Sequence, residues 1–423
     1  MRLHRPLSVL GALIVAAALC EQTNVPRLPQ GNNTSAVDSF SGQPNGNAPA
    51  GNVSKLPIRS RLYQGATTKI FVRWMPWFGQ SKHIDIGYSS DSEQEIRHQV
   101  DDMMSRGVDA AIVDYYGPQD DFKERATERL FREAERRGGQ FLVALSIDKG
   151  SVKGCPGDCT GDLLGVMNYA ARKYESSPAY LRAQGRPAVF FFGLEQANVD
   201  WQRVHSGAQG NPLLFFRNSG AFRRPEADGA YSWMAPESVK PGDPLGLEYL
   251  ERFNRAAQTS DKLVVASAYK GFDDSIAGWS KHRRIPQNCG ETWLQTFAVA
   301  NQFFSASHPL WALLIPTWND YEEGTEIETG IENCAQLSAT LEGNTVRWNV
   351  SGAGNDTMDH FEILAASGSD VINAAPAPRS AHSFDLGRLQ LPPGRYAIFV
   401  AAVGRPSIRN HLAAAGQYAA GAP

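Results

Sequence analysis

Ile70-Phe71-Val72, the amphipathic segment from Glu93 to Arg106, and Ala110-Ala111-Ile112-Val113-Asp114 make up the stretch that decides the fold. Its first apolar run is short and unbroken, without the polar alternation of a half-exposed strand. Ile96, Val100, Met103 and Met104 then recur at helical spacing, and a second unbroken apolar run follows. Strand, covering helix, strand is the pattern of a parallel βαβ unit whose strands are buried on both faces.

Working outward, the unit repeats. Phe122 to Arg137 is expected as a helix, Phe141 to Ile147 as a strand, and Asp162 as the cap of a helix towards Tyr174. Ala188 to Phe192, Leu213 to Phe216 and the weaker Ala230 to Met234 are strand candidates. Leu245 to Ala257 reads as helix, Leu263 to Ala268 as strand, Thr292 to Phe304 as helix and Trp311 to Ile315 as the last strand. Eight strands over roughly 260 residues predict a (β/α)8 TIM barrel, whose usual size is about 250. An open doubly wound sheet would place a glycine-rich phosphate loop after its first strand, where this chain has Met75-Pro76-Trp77-Phe78-Gly79.

Beyond Cys334 the period drops to two, with Leu337, Ala339 and Leu341, then Val346, Trp348 and Val350, alternating with polar residues. The barrel, expected over 61–333, is thus followed by a small all-β sandwich of fibronectin or immunoglobulin type over 334–405, with a flexible Ala/Gly-rich tail at 406–423. Before the barrel, basic Arg2, His4 and Arg5 precede the apolar run Leu7 to Leu19, so 1–20 reads as a signal segment. Ala16-Ala17-Ala18 suits ordinary cleavage, while Cys20 offers a lipid anchor; either reading exports the protein. Residues 21–60, rich in Asn, Gly, Ser, Pro and Gln, are expected as a disordered linker.

Composition narrows the partners. A net charge of -3 over 423 residues, without long runs of one sign, argues against nucleic acid. No later segment is apolar enough to cross a membrane. In an oxidising compartment the remaining four cysteines favour disulfides, Cys155 with Cys159 and Cys289 with Cys334. A four-thiolate zinc site is the rival, and the wide second spacing lacks the usual knuckle.

Barrel enzymes react at the C-terminal ends of their strands. There the chain carries Arg73 to Trp77, Asp114 to Gly117, Asp148-Lys149, Glu195, Arg217-Asn218, Trp233, Tyr269-Lys270 and Trp318 to Glu323. Acids move protons and rings stack on sugars, so acids among rings predict a glycan site. A lone Asp in such a loop is more often an ion-pair partner than a catalyst. The run Asp320, Glu322, Glu323, Glu326 and Glu328, with no basic residue among them, is harder to dismiss; calcium is its structural alternative.

Thr317-Trp318-Asn319-Asp320-Tyr321-Glu322-Glu323-Gly324-Thr325-Glu326-Ile327-Glu328 resembles the last-strand motif of glycoside hydrolase family 99, the endo-α-mannanases and endo-α-mannosidases. It is also similar to that of family 71, the α-1,3-glucanases. Trp74 to Gly79, His83 to Asp91 and Asp114 to Gly117 look like further family 99 segments. The resemblance covers roughly 69–333 and implies Asp320 and Glu323 as the catalytic pair, with Glu323 as general acid. Trp74, Trp77, Tyr115, Tyr116 and Trp318 would shape the subsites, and His83, Asp114, Lys270 and Asn319 would be polar contacts.

The expected function is therefore hydrolysis of α-linked glycans, endo-acting, with no cofactor and no metal. The alternatives are a non-catalytic glycan-binding barrel, which predicts a missing acid, and a polysaccharide lyase, for which Tyr115 and Arg217 could serve.

Overall fold

The computed structural model describes residues 53–421, apart from residues 153, 154, 156, 196, 353, 354 and 369. The expected signal segment, the Cys20 anchor and most of the expected linker lie outside the described residues.

Eight parallel strands close into a barrel: β1 (Lys69–Trp74), β2 (Ala110–Tyr115), β3 (Leu142–Asp148), β4 (Arg186–Phe192), β5 (Leu213–Arg217), β6 (Gly229–Tyr231), β7 (Leu263–Ser267) and β8 (Ala312–Ile315). The hydrogen-bonded order is β3-β2-β1-β8-β7-β6-β5-β4, and the pairing of β3 with β4 closes the ring. Helices α1 (Glu93–Ser105), α2 (Asp121–Arg136), α3 (Thr160–Tyr174), α4 (Trp201–Gly207), α5 (Leu247–Ala257) and α6 (Glu291–Phe303) surround it. A short 3-10 turn, Ser219–Arg223, replaces the helix after β5. Ser92, Asp120 and Asp200 cap α1, α2 and α4 through their side chains. Asp162, expected as the cap of α3, instead lies in its first turn, and Cys159 holds the cap position without a side-chain bond.

Strand parity decides what each side chain meets. Ile70 and Val72, Val113, Leu145 and Val189 face the helices, where they pack with Val100, Leu130 and Leu163. Phe71, Ile112, Ala144, Phe190, Phe215 and Leu314 fill the bore. Each fully buried side chain of this size contributes roughly 1.5–3 kcal/mol. Trp311 stacks on Phe215 at 5.4 Å and meets Phe71 edge-on at 5.6 Å, plugging the N-terminal end of the bore.

A seven-stranded sandwich follows: β9 (Gln336–Glu342), β10 (Thr345–Ser351), β11 (Met358–Ser367), β12 (Asp370–Pro378), β13 (Ser383–Asp385), β14 (Gly394–Gly404) and β15 (His411–Ala420). Its sheets run β9-β10-β13 and β12-β11-β14-β15, around Trp348, Phe361, Ile363, Ile398 and Val400. The tail expected to be flexible contains β15, which pairs with β14 from Gly394 to Ala402. Its small residues suit an edge strand; composition alone hid the pairing. The linker expectation also ends too late, since Val53 bridges Arg409 and Ser54 and Ile58 are fully buried.

The structure contains the disulfides Cys155–Cys159 and Cys289–Cys334, which leaves no thiolates for a zinc site among these four. The second bridge, the Trp293 Nε1 bond to the Pro406 carbonyl (3.0 Å) and the pairing of Ile331 with Ile408 fasten barrel to sandwich. Among the described residues no helix is long and apolar enough to cross a membrane.

Candidate active site

The chain leaves β8 at Ile315 and folds 317–325 into a closed loop. The Asp320 N–H donates to Thr317 Oγ1 (2.8 Å), the Thr325 N–H donates to the Asp320 carbonyl (3.1 Å), and the two threonine hydroxyls meet at 2.9 Å. Residues 321–324 form a turn. Gly324 ends it at φ 61°, a left-handed conformation that glycine adopts without strain. Asp320 Oδ1 accepts the N–H groups of Glu322 (3.1 Å) and Glu323 (3.0 Å). The turn thus spends one oxygen of Asp320 on its own backbone, and Oδ2 stays outside those bonds.

The five acids of the run go to different partners. Glu322 accepts from His83 Nδ1 (2.8 Å) and the Ile84 N–H (3.3 Å). Glu323 accepts the Trp279 indole N–H (3.0 Å), and Glu326 accepts Lys270 Nζ (2.8 Å). Glu328 accepts the hydroxyls of Tyr88 (2.9 Å) and Tyr321 (2.7 Å). Among the described residues no group of three or more His, Cys, Asp or Glu is placed to hold a metal ion.

Burial pushes the Asp320 carboxyl well above the usual range, and the charges of Glu323 and Glu322 push it further. Burial also raises Glu323, with Asp274 and Asp114 adding to it, while the Trp279 N–H and the Arg283 charge pull it back. The charge of Glu323 is thus one cause of the Asp320 shift, second to burial.

A second charged cluster fills the top of the bore. Arg73, only 1 % exposed, is ion-paired to Asp114 and donates to Ser146 Oγ (2.6 Å). Its guanidinium lies over the rings of Phe192 (4.5 Å) and Trp233 (5.3 Å). Tyr116 donates to the other oxygen of Asp114 (3.1 Å). Asp148 accepts the Gly150 N–H (2.6 Å), and burial beside Asp114 lifts its carboxyl to about 7. A cleft of about 1500 Å³ opens here, lined by Tyr116, Asp148, Lys149, Lys82 and Trp279 and running along α3. Trp77 lies buried behind Tyr116 and Trp279, edge-on to each at 6.2 Å and stacked on His83 at 5.1 Å.

Of the residues expected to meet a glycan, Tyr116 lines this cleft; Asp114, Trp77 and His83 lie behind it through contacts with Tyr116 and Trp279, and Glu323 joins it through the Trp279 bond. Five others do not open onto it. Trp74, Tyr115 and Trp318 belong to the strand–helix layer. Trp74 donates to Gln99 on α1 (2.6 Å), Tyr115 meets Tyr174 on α3 edge-on (6.2 Å), and Trp318 lies under Arg106 (4.9 Å). For Trp74 and Tyr115 the reason is parity, since each continues the outward row of its strand. Asn319 is fully buried and clamps the Met75 backbone through its N–H (2.8 Å) and carbonyl (3.1 Å). Lys270, 3 % exposed, is held by Glu326.

The sequence puts Arg73 and Asp148 at strand ends without assigning either a role, and does not single out Trp279. Arg73 and Asp148 occupy inward positions of their strands, a signal that parity could have supplied. Trp279 lies nine positions past Lys270 at the β7 exit, too far along the loop for its distance from the strand to mark it.

Fold and site together define a (β/α)8 barrel with an acid–aromatic cleft at its C-terminal face. It is similar to the glycoside hydrolase family 99 endo-α-mannosidase of Bacteroides thetaiotaomicron in complex with bis-tris-propane: TM-score 0.50 and 16 % identity, over 63 % of this chain and 88 % of that one. A second structure described by that name gives TM-score 0.49 and 16 % identity over 63 % and 89 %, and a glycoside hydrolase-like protein gives 0.44 and 11 % over 62 % and 87 %. At such identity the likeness establishes the fold. No protein-family model and no curated protein matches the chain.

Proposed function

We propose that the protein is an exported glycoside hydrolase of α-linked glycans, endo-acting, with Asp320 and Glu323 as its catalytic pair. The observation that carries this reading is the turn after β8. It turns the Glu323 N–H onto Asp320 Oδ1, both carboxyls are raised by burial, and the Glu323 carboxyl is bonded to the Trp279 indole. Buried carboxyls raised above their ordinary range suit acid–base cleavage of a glycosidic bond.

In this reading Glu323, at the cleft, protonates the leaving oxygen. Asp320 assists the nucleophile, a water or the substrate's 2-hydroxyl. Tyr116 borders the subsite and Trp77 backs it, while the Arg73–Asp114–Asp148 cluster offers donors and acceptors to sugar hydroxyls. His83 fixes Glu322 and Trp77, and Asn319 positions the loop. The α-linkage and endo action follow from the motif's resemblance to families 99 and 71; the open cleft suits an internal segment of a chain. Export is supported by the two disulfides and the N-terminal sequence.

The test is a screen of purified protein against α-mannans, α-1,3-glucan and other α-glycans, read by released oligosaccharides. Oligosaccharides of several lengths, appearing early, are expected. Binding without any product would favour the non-catalytic alternative, and an unsaturated, ultraviolet-absorbing product would make it a lyase.

A further inference from the structure

Trp279 has no counterpart in the sequence reading, yet it touches both halves of the site. It sits at the tip of the loop between the paired two-residue strands Phe272–Asp273 and Arg284–Ile285. Fully buried Asp274 fixes that loop from inside, accepting Arg283 Nε (2.9 Å), the Arg283 N–H (2.8 Å) and the Lys281 N–H (3.2 Å). The loop is also tied to the catalytic turn, because the Asp273 N–H donates to the Glu323 carbonyl (2.9 Å).

On this braced loop Trp279 remains 42 % exposed and borders the cleft. Exposure of a single ring is ordinary; what distinguishes this one is that it borders the cleft with its N–H already engaged, and a ring held in place in advance loses little entropy on binding. Its edge meets Trp77 and His83 at 6.2 Å each, and its N–H is spent on Glu323 (3.0 Å). Ring and carboxyl therefore have a fixed mutual geometry.

We propose that Trp279 is a two-sided residue of the site: its ring is a stacking platform for the apolar face of a sugar beside the reacting bond, and its N–H positions Glu323. This rests on the glycosidase reading. A sugar seated on the ring is registered against the acid by one rigid indole, so binding and proton transfer are set together. Around Glu323, Arg283 and the indole favour the ionised form, while Asp274, Asp114 and burial oppose it. Losing the N–H therefore moves the limb of the pH profile that Glu323 controls towards higher pH.

Two variants separate the roles: Trp279→Phe keeps a ring without the N–H, and Trp279→Ala removes both. A readout that needs no glycan comes first. The pH titration of tryptophan fluorescence should show a step in the wild type that is absent in both Trp279→Phe and Glu323→Gln. An identical step in all three overturns the positioning role. Affinity for α-mannotetraose and for an α-1,3-glucan tetraose is then measured calorimetrically in an Asp320→Asn background, with melting as the control for folding. Trp279→Ala should weaken binding by about 3- to 10-fold, the scale of one aromatic contact, while Trp279→Phe stays within about twofold. On the glycan most readily cleaved, Trp279→Phe should move the Glu323 limb upward while KM stays near the wild-type value. Unchanged affinity in Trp279→Ala overturns the platform. If the wild type neither binds nor cleaves any glycan, the platform falls together with the glycosidase reading, and the titration still decides the hydrogen bond.

Discussion

Glu328 sits where two tyrosines converge, its Oε2 accepting from Tyr88 and Tyr321. Burial raises its carboxyl from the ordinary 4.5 to about 8, although both hydroxyls pull it down. Stability from this group is therefore fully present below about pH 4.5 and is lost as pH rises through about 8. Glu328→Gln keeps a hydrogen-bonding side chain but removes the titration. Urea unfolding at about pH 5 and about pH 9 should show a smaller fall in stability for the variant than for the wild type. Equal falls would mean that the carboxyl ionises in the fold at no cost. At this scale the sequence was legible where side-chain direction did not matter. Glu322 and Glu323 are adjacent acids, yet one is held by a histidine on the β1 loop and the other by an indole on the β7 loop. Neither partner can be read from spacing, because contacts across loops depend on how the loops lie.

Among the elements, β15 makes the clearest demand on stability. It covers the β14 edge from Gly394 to Ala402, and a bare strand edge is a template for pairing with other chains. Protein ending at Arg409 is expected to melt lower and to self-associate, as checked by calorimetry and light scattering; unchanged melting and monomeric behaviour would contradict this. The eight barrel strands were legible because parallel strands buried on both faces leave unbroken apolar runs, as in Ala110–Tyr115. The strand His411–Ala420 was not, since Ala and Gly carry little hydrophobic pattern and its partner lies in another hairpin. The short helix Trp201–Gly207 escaped for a similar reason: two turns give too few positions to show a period.

Across the whole molecule, the sandwich packs on the barrel through Cys289–Cys334, Trp293 and Ile331, while the acid–aromatic cluster lies wholly on barrel loops. The architecture was legible from the order of strands, and the acids that follow the last of them mark the proposed site. The inner ring of Arg73, Asp114 and Asp148 became visible only once the barrel closed and the inward rows met across the bore. The glycosidase reading stands on the turn after β8 holding the catalytic pair. It is tested most directly by measuring turnover of Asp320→Asn, Glu323→Gln and Glu322→Gln side by side on the best α-glycan, with melting curves for each. Asp320→Asn and Glu323→Gln should each lose at least ~10²-fold in turnover, the low end of a general acid–base contribution, while staying folded. Glu322→Gln should lose much less, because its carboxyl is spent on His83 and Ile84. An essential Glu322 beside a dispensable Glu323, or full activity in all three, would contradict the account.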